Sequence, residues 1–174
     1  MTNEDIYDRQ PLAEWNSKPA VRTLQIFRVG SLLYGVFTDQ IATIASWREP
    51  TPLPHSTKSV LGIVSLQGRM LTVLDLASIL IPDAASSDPS SSESGQAEAR
   101  HLIALRGDEQ LALAVQDVKT TIEIRNSDFD EKPETAGAPV VGVLHREGLD
   151  ILVLNPNELF PTAIQGRERR RRRF

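Results

Sequence analysis

The chain contains no cysteine. That excludes a disulfide framework, a thiolate metal site and a cysteine nucleophile together. Histidine is scarce as well. His55, His101 and His145 are far apart, and none stands in an HxxxH or HExxH spacing that would set two ligands on one helical face. Each reads as a structural or surface histidine. Aromatic residues make up only 5% of the chain, too few for the stacking platforms on which small barrels hold single strands of nucleic acid. No apolar run approaches the roughly 20 residues that span a bilayer. Met1 to Pro19 is polar and acidic instead of basic and then apolar, so it does not read as a secretory signal, and a cytoplasmic location is expected. Walker A and dinucleotide glycine fingerprints are missing. Ser65, in Ile-Val-Ser-Leu-Gln-Gly, is not a Gly-x-Ser-x-Gly elbow. The acidic run Asp128–Glu134 contains Pro133 and lacks the alternating ligands of a calcium loop, so it reads as a solvated loop. The expectation is a protein without metal, cofactor or catalysis.

What is present is enough for a core. At 174 residues and 40% apolar content, the chain fits one domain, or two small barrels sharing an interior. Its net charge of -4 conceals a segregation. Residues 167–173 hold six arginines and one glutamate, leaving 13 basic and 22 acidic residues elsewhere, a net of -9. An acidic body does not attract nucleic acid. The arginine tail reads as a solvated charge run, with weak attachment to an anionic membrane or an acidic partner as the sharper alternative. Three stretches lack core-forming residues and are expected to be disordered: residues 1–20, the serine-rich loop at about 82–99, and the tail from 163 to 174. The folded unit is therefore expected over 21–162.

Between these stretches lie strand signals, with apolar and β-branched runs punctuated by glycine. They include Leu24–Val29, Leu32–Phe37, Met70–Leu74, His101–Leu105, Leu111–Val115, Val140–Leu144 and Ile151–Leu154. They also repeat. The segment Gly30–Ile41 lies over Gly107–Val118 without a gap, and Gly62–Asp75 lies over Gly142–Asn155. In the second pair Gly62 meets Gly142 and Gly68 meets Gly148, which argues for two copies of one β unit. Gln67-Gly68 and Glu147-Gly148 are read as hairpin turns. Asn155, followed by Pro156 and then Glu158, reads as a helix cap, and Asp75 occupies the equivalent cap before Leu76–Leu80.

The stretch from Phe27 to Leu80 resembles the CheW-like adaptor family. The residues that carry the likeness are Phe27, Gly30, Tyr34-Gly35, Ile41, Ile44 and Thr51-Pro-Leu-Pro54, then above all Val60-Leu-Gly-Ile-Val-Ser65-Leu-Gln-Gly68-Arg-Met-Leu-Thr-Val-Leu-Asp75-Leu76. With Gly142-Val-Leu and the strand into Leu154-Asn155, it covers about residues 22–162. The resemblance implies an all-β fold of two five-stranded barrels packed around a shared core, with short helices. It also implies an adaptor without catalysis, docking the regulatory domain of a CheA-type histidine kinase and the cytoplasmic tip of a chemoreceptor. By position in the family, Ile41, Thr43, Gln67 and Arg69 face partners. Trp47 and Arg48 join them on chemistry, because Trp and Arg dominate interface hot spots. Ile41 reads equally as core, Trp47 as a cover for a barrel end, and Gln67 as a turn residue. Two departures from the family pattern stand out: Gln67 replaces an arginine and Thr72 a proline. A neutral amide cannot form the bidentate carboxylate pair of a guanidinium. This leaves open a scaffold of a twitching-motility or pilus pathway and, from a different class, a small β-barrel nucleic-acid binder using the basic tail.

Overall fold

The computed structural model describes residues 20–80, 99–131 and 139–165. Within them the chain forms eleven strands and two short helices. The strands are β1 Val21–Val29, β2 Leu32–Phe37, β3 Ile41–Ser46, β4 Val60–Leu66, β5 Arg69–Asp75, β6 His101–Leu105, β7 Leu111–Val115, β8 Asp117–Arg125, β9 Asp130–Glu131, β10 Val140–Arg146 and β11 Leu149–Leu154. The helices are α1, Leu76–Leu80, and α2, Leu159–Gln165. No helix among the described residues is long and apolar enough to cross a membrane.

The strands make two sheets, the two β subdomains expected from the resemblance, but one has six strands instead of five and neither sheet closes into a barrel. One runs β8-β1-β2-β11-β10-β9 and the other β3-β6-β7-β5-β4. The repeat is visible in both. In each sheet an antiparallel hairpin (β1-β2 or β6-β7) is joined through a parallel pairing (β2 to β11, β7 to β5) to a second hairpin. The repeats are not the subdomains, however. The second sheet is built from one continuous stretch, residues 41–115, whereas the first is assembled from that stretch's two flanks. The chain crosses between sheets at the 3-10 turn Thr38–Gln40 and at Gln116. Both crossings are pinned. The Gln116 side-chain oxygen accepts from Arg28 and from the Gly30 amide at 3.0 Å, and the Arg106 amide donates to the Gln40 carbonyl at 2.8 Å.

Side chains alternate across the strands, and inner strands such as β2 and β7 are apolar on both faces, because three separate cores must be filled. On β7, Leu111, Leu113 and Val115 enter the core shared between the sheets, while Ala112 and Ala114 point into the second subdomain. On β2, Tyr34 and Val36 face the shared core, and Phe37 enters the first subdomain. Burial in the shared core pushes the Tyr34 phenol above its ordinary pKa. The helices seal that core with Leu76, Ile79, Leu159 and Ala163. The two interiors differ in grain. The second sets Ala99, Ala104, Ala112 and Ala114 against larger aliphatics such as Leu71 and Leu102. The first takes Phe37 and Phe129, edge to face at 6.0 Å, and the Arg22 guanidinium lies 3.3 Å from the Phe37 ring centre while pairing with Asp39 at 3.1 Å.

Local signals read from the sequence are realised at the turns and caps. Gln67 and Gly68 have φ of 51° and 77°, and Glu147 and Gly148 have 52° and 77°, the double positive φ of a two-residue hairpin turn. The Asp75 carboxylate accepts from the Ala77 amide at 3.1 Å and the Ser78 hydroxyl at 2.7 Å; Asn155 accepts from the Asn157 amide at 3.2 Å. Three expectations are corrected. Asp130 and Glu131, read as loop, pair with Val143 and Gly142 of β10. Ala99, assigned to the serine-rich loop, is buried in the second interior. Ala163, assigned to the tail, is buried in the shared core, and α2 runs on to Gln165. The remaining stretches expected to be disordered (1–19, 82–98 and 166–174) lie outside the described residues, as do Ile81 and the segment 132–138, which includes the end of the acidic run.

Candidate docking surface

Each sheet ends in two strands whose outer edges face one another across a seam. In the second subdomain the chain continues beyond β3, and Thr51 exchanges backbone bonds of 2.8 and 2.9 Å with Ile63 of β4. In the first, β8 runs through a 3-10 turn into β9, which pairs with β10. At each seam an arginine also reaches across. Arg48 Nη1 donates to the Ser65 carbonyl on β4 at 3.2 Å, and Arg146 Nη1 donates to the Glu123 carbonyl on β8 at 3.5 Å.

The seam of the second subdomain gathers most of the residues chosen from the sequence. Ser65 lies opposite Met70 in the β4-β5 ladder, so Arg48, Ser65 and Met70 form a row across β4 and β5. The row ends at the hairpin tip, where Gln67 and Arg69 are exposed. Trp47 is half-buried. Its side chain packs against the second interior and its amide donates to the Arg100 carbonyl at 2.9 Å, so it covers the end of that subdomain. Thr43 is half-buried on β3, opposite Ala104. Ile41 does not belong to this surface. It is 8% exposed within the shared core, because the register shift between Ile41 and Thr43 turns its side chain inward.

Met70 is not among the residues chosen from the sequence, although it is 59% exposed. The alternation along β5 carries the signal. Leu71 and Val73 point inward, so Met70 points outward, and an outward methionine at a hairpin end is an adaptable apolar contact. Ile44, at 38% exposure, adds a second apolar group on β3. Arg48 and Arg69 add two exposed cationic side chains. That combination suits a partner offering an apolar pocket with acidic residues around it.

A cavity of about 360 Å³ lies between the β6-β7 turn and the 3-10 turn that precedes α2, lined by Arg106, Asp108, Glu109, Gln110, Pro156 and Asn157. The guanidinium of Arg106 is engaged there with the Ile41 carbonyl at 2.9 Å. Among the described residues no group of His, Asp and Glu is placed to hold a metal ion.

The chain matches the family model described as "CheW-like domain" over residues 23–163. It is 27% identical over 147 residues to the chemotaxis protein CheW of Rhizobium meliloti, covering 81% of this chain and 88% of that one. It is 24% identical over 110 residues to the chemotaxis protein CheW of Bacillus subtilis, covering 63% and 65%. Among solved structures, the scaffolding protein TtCheW from Thermoanaerobacter tengcongensis superimposes with a TM-score of 0.66 at 21% identity, covering 83% of this chain and 90% of that one. The family match includes both seams, both hairpin tips and the shared core; the chain belongs to the CheW-like family.

Proposed function

We propose that this chain is a non-enzymatic chemotaxis adaptor that couples a chemoreceptor to a CheA-type histidine kinase in the cytoplasm. The observation that carries this reading is the row Arg48, Ser65 and Met70 beside the Gln67-Arg69 tip, an apolar and cationic surface on a family scaffold. The similarity to chemotaxis proteins and to a scaffolding protein of the same fold supports the role. In this reading the second seam docks the kinase regulatory domain, and the arginine tail, Arg167–Arg173, adds weak electrostatic contact with an anionic membrane or an acidic partner.

The experiment is a pull-down against the host's CheA-type kinases, full-length and lacking the regulatory domain. Binding should vanish with that domain. Met70→Asp should weaken it by tenfold or more, on the scale of a hot-spot loss of about 1.4 kcal/mol or greater. Binding that ignores both changes rejects the reading. One residue favours a specialised pathway of the pilus type: Gln67, where the family carries arginine. If Gln67→Arg transfers binding to the swimming-type kinase of the same host, that variant pathway is the correct one.

A further inference from the structure

His145, on β10 in the first subdomain, stands between two carboxylates. Its Nδ1 faces Oδ1 of Asp150 on β11, and its Nε2 lies 3.4 Å from Oδ2 of Asp130 on β9. A neutral imidazole carries one N–H, so one of these carboxylates would then face a ring lone pair. Only the doubly protonated ring presents an N–H towards both, a hydrogen bond to Asp150 and a 3.4 Å ion pair with Asp130. The carboxylates approach opposite edges of the ring, so one metal ion could not replace the two protons, in keeping with the lack of a metal cluster among the described residues.

The position of the cluster gives it a mechanical role. β9 is two residues long and meets β10 at two residue pairs. It follows directly on Phe129, whose ring helps to fill the first interior. The imidazole links this short closing strand to β11 across β10. The other charges on adjoining elements are Glu131 on β9, Glu147 in the hairpin turn, and Arg146, which is directed to the Glu123 carbonyl of β8. The repeat supplies a control. The positions equivalent to Asp130, His145 and Asp150 in the second subdomain are Thr51, Ser65 and Met70, none of which titrates.

We infer that Asp130, His145 and Asp150 form a proton-operated clasp that holds β9 against the β10-β11 hairpin when the imidazole is doubly protonated and releases it when the ring is neutral. The second subdomain keeps its seam closed at either pH. Proton uptake would also add one positive charge to this end of the molecule. The inference is independent of the adaptor reading and does not need a partner.

The test is amide hydrogen exchange on the whole protein at about pH 5 and about pH 8, either side of histidine's ordinary pKa of about 6.5. Protection factors of Asp130, Glu131 and Val143 are taken relative to those of Thr51 and Ile63. This ratio should fall about threefold from the lower to the higher pH, the scale of an exposed ion pair. His145→Gln and Asp130→Asn should each flatten it, and both positions are exposed enough to leave folding intact. A flat ratio in the unaltered protein, or an undiminished fall in His145→Gln, overturns the inference.

Discussion

Gly62 and Gly142 occupy equivalent positions in the repeat, yet adding one methyl group to each should have very different consequences. At Gly62 the backbone has a φ of +145°, and a Cβ would lie 2.2 Å from the Thr51 carbonyl oxygen and 2.6 Å from its carbon. Those atoms are backbone, held by the reciprocal Thr51–Ile63 bonds, and cannot swing aside. Gly62→Ala must therefore break both bonds, at about 1 kcal/mol each, and carry about 1–2 kcal/mol of backbone strain. At Gly142 the nearest atom is the Asp130 carbonyl oxygen at 3.1 Å, followed by Phe129 at 3.6 Å. A shift of a few tenths of an ångström relieves that approach, and the lower entropy of the unfolded alanine chain returns about 0.4–1 kcal/mol. The expected losses are about 3–4 kcal/mol for Gly62→Ala and below about 1 kcal/mol for Gly142→Ala. For a chain of this length the difference corresponds to roughly 6–12 °C in Tm. Urea titration followed by far-UV circular dichroism measures both variants. Equal losses at the two sites, or a loss within about 1 kcal/mol at Gly62, would refute the argument that Thr51 makes the second seam immovable.

Asp75→Ala removes two capping bonds and should cost about 1–2 kcal/mol, whereas Asn155→Ala removes one and should cost about 1 kcal/mol, both by urea titration. Leu113→Ala, at the centre of the shared core, should cost about 2–5 kcal/mol and leave a single unfolding transition, seen as coincident fluorescence and circular dichroism curves. Burial raises the Tyr34 phenol above its ordinary 10.0, so the folded chain keeps that proton longer than the unfolded one. Its contribution to stability is thus complete below about pH 10 and is lost as pH rises towards the folded value. Tyr34→Phe should flatten the alkaline limb of the stability curve, and an unchanged limb would exclude this residue as its source.

The repeat, hairpin turns and caps could be read from the sequence because each rests on local chemistry: Gln67-Gly68, Glu147-Gly148, Asp75 and Asn155 act within a few residues of themselves. The partition of the repeat between two sheets could not, because β2 pairs with β11 and β7 with β5 across long separations that leave no local mark. Asp130-Glu131 looks like a loop in the sequence because its strand character comes from β10. Ile41 is ambiguous there for a related reason. An apolar residue at the start of a strand can face either way, and a register shift decides the matter. Arg48 stands out for its chemistry alone, while its reach to Ser65 depends on a seam that exists only after folding.

The two crossings between the sheets, one of three residues and one of a single residue, leave almost no slack between the subdomains. Turning one against the other would shear a core filled from both sides and pull on Gln116, already tied to Arg28 and Gly30. The two subdomains are therefore held in a single relative arrangement. Groups exposed on the two subdomains are thus presented in one mutual orientation, set by Thr38–Gln40 and Gln116.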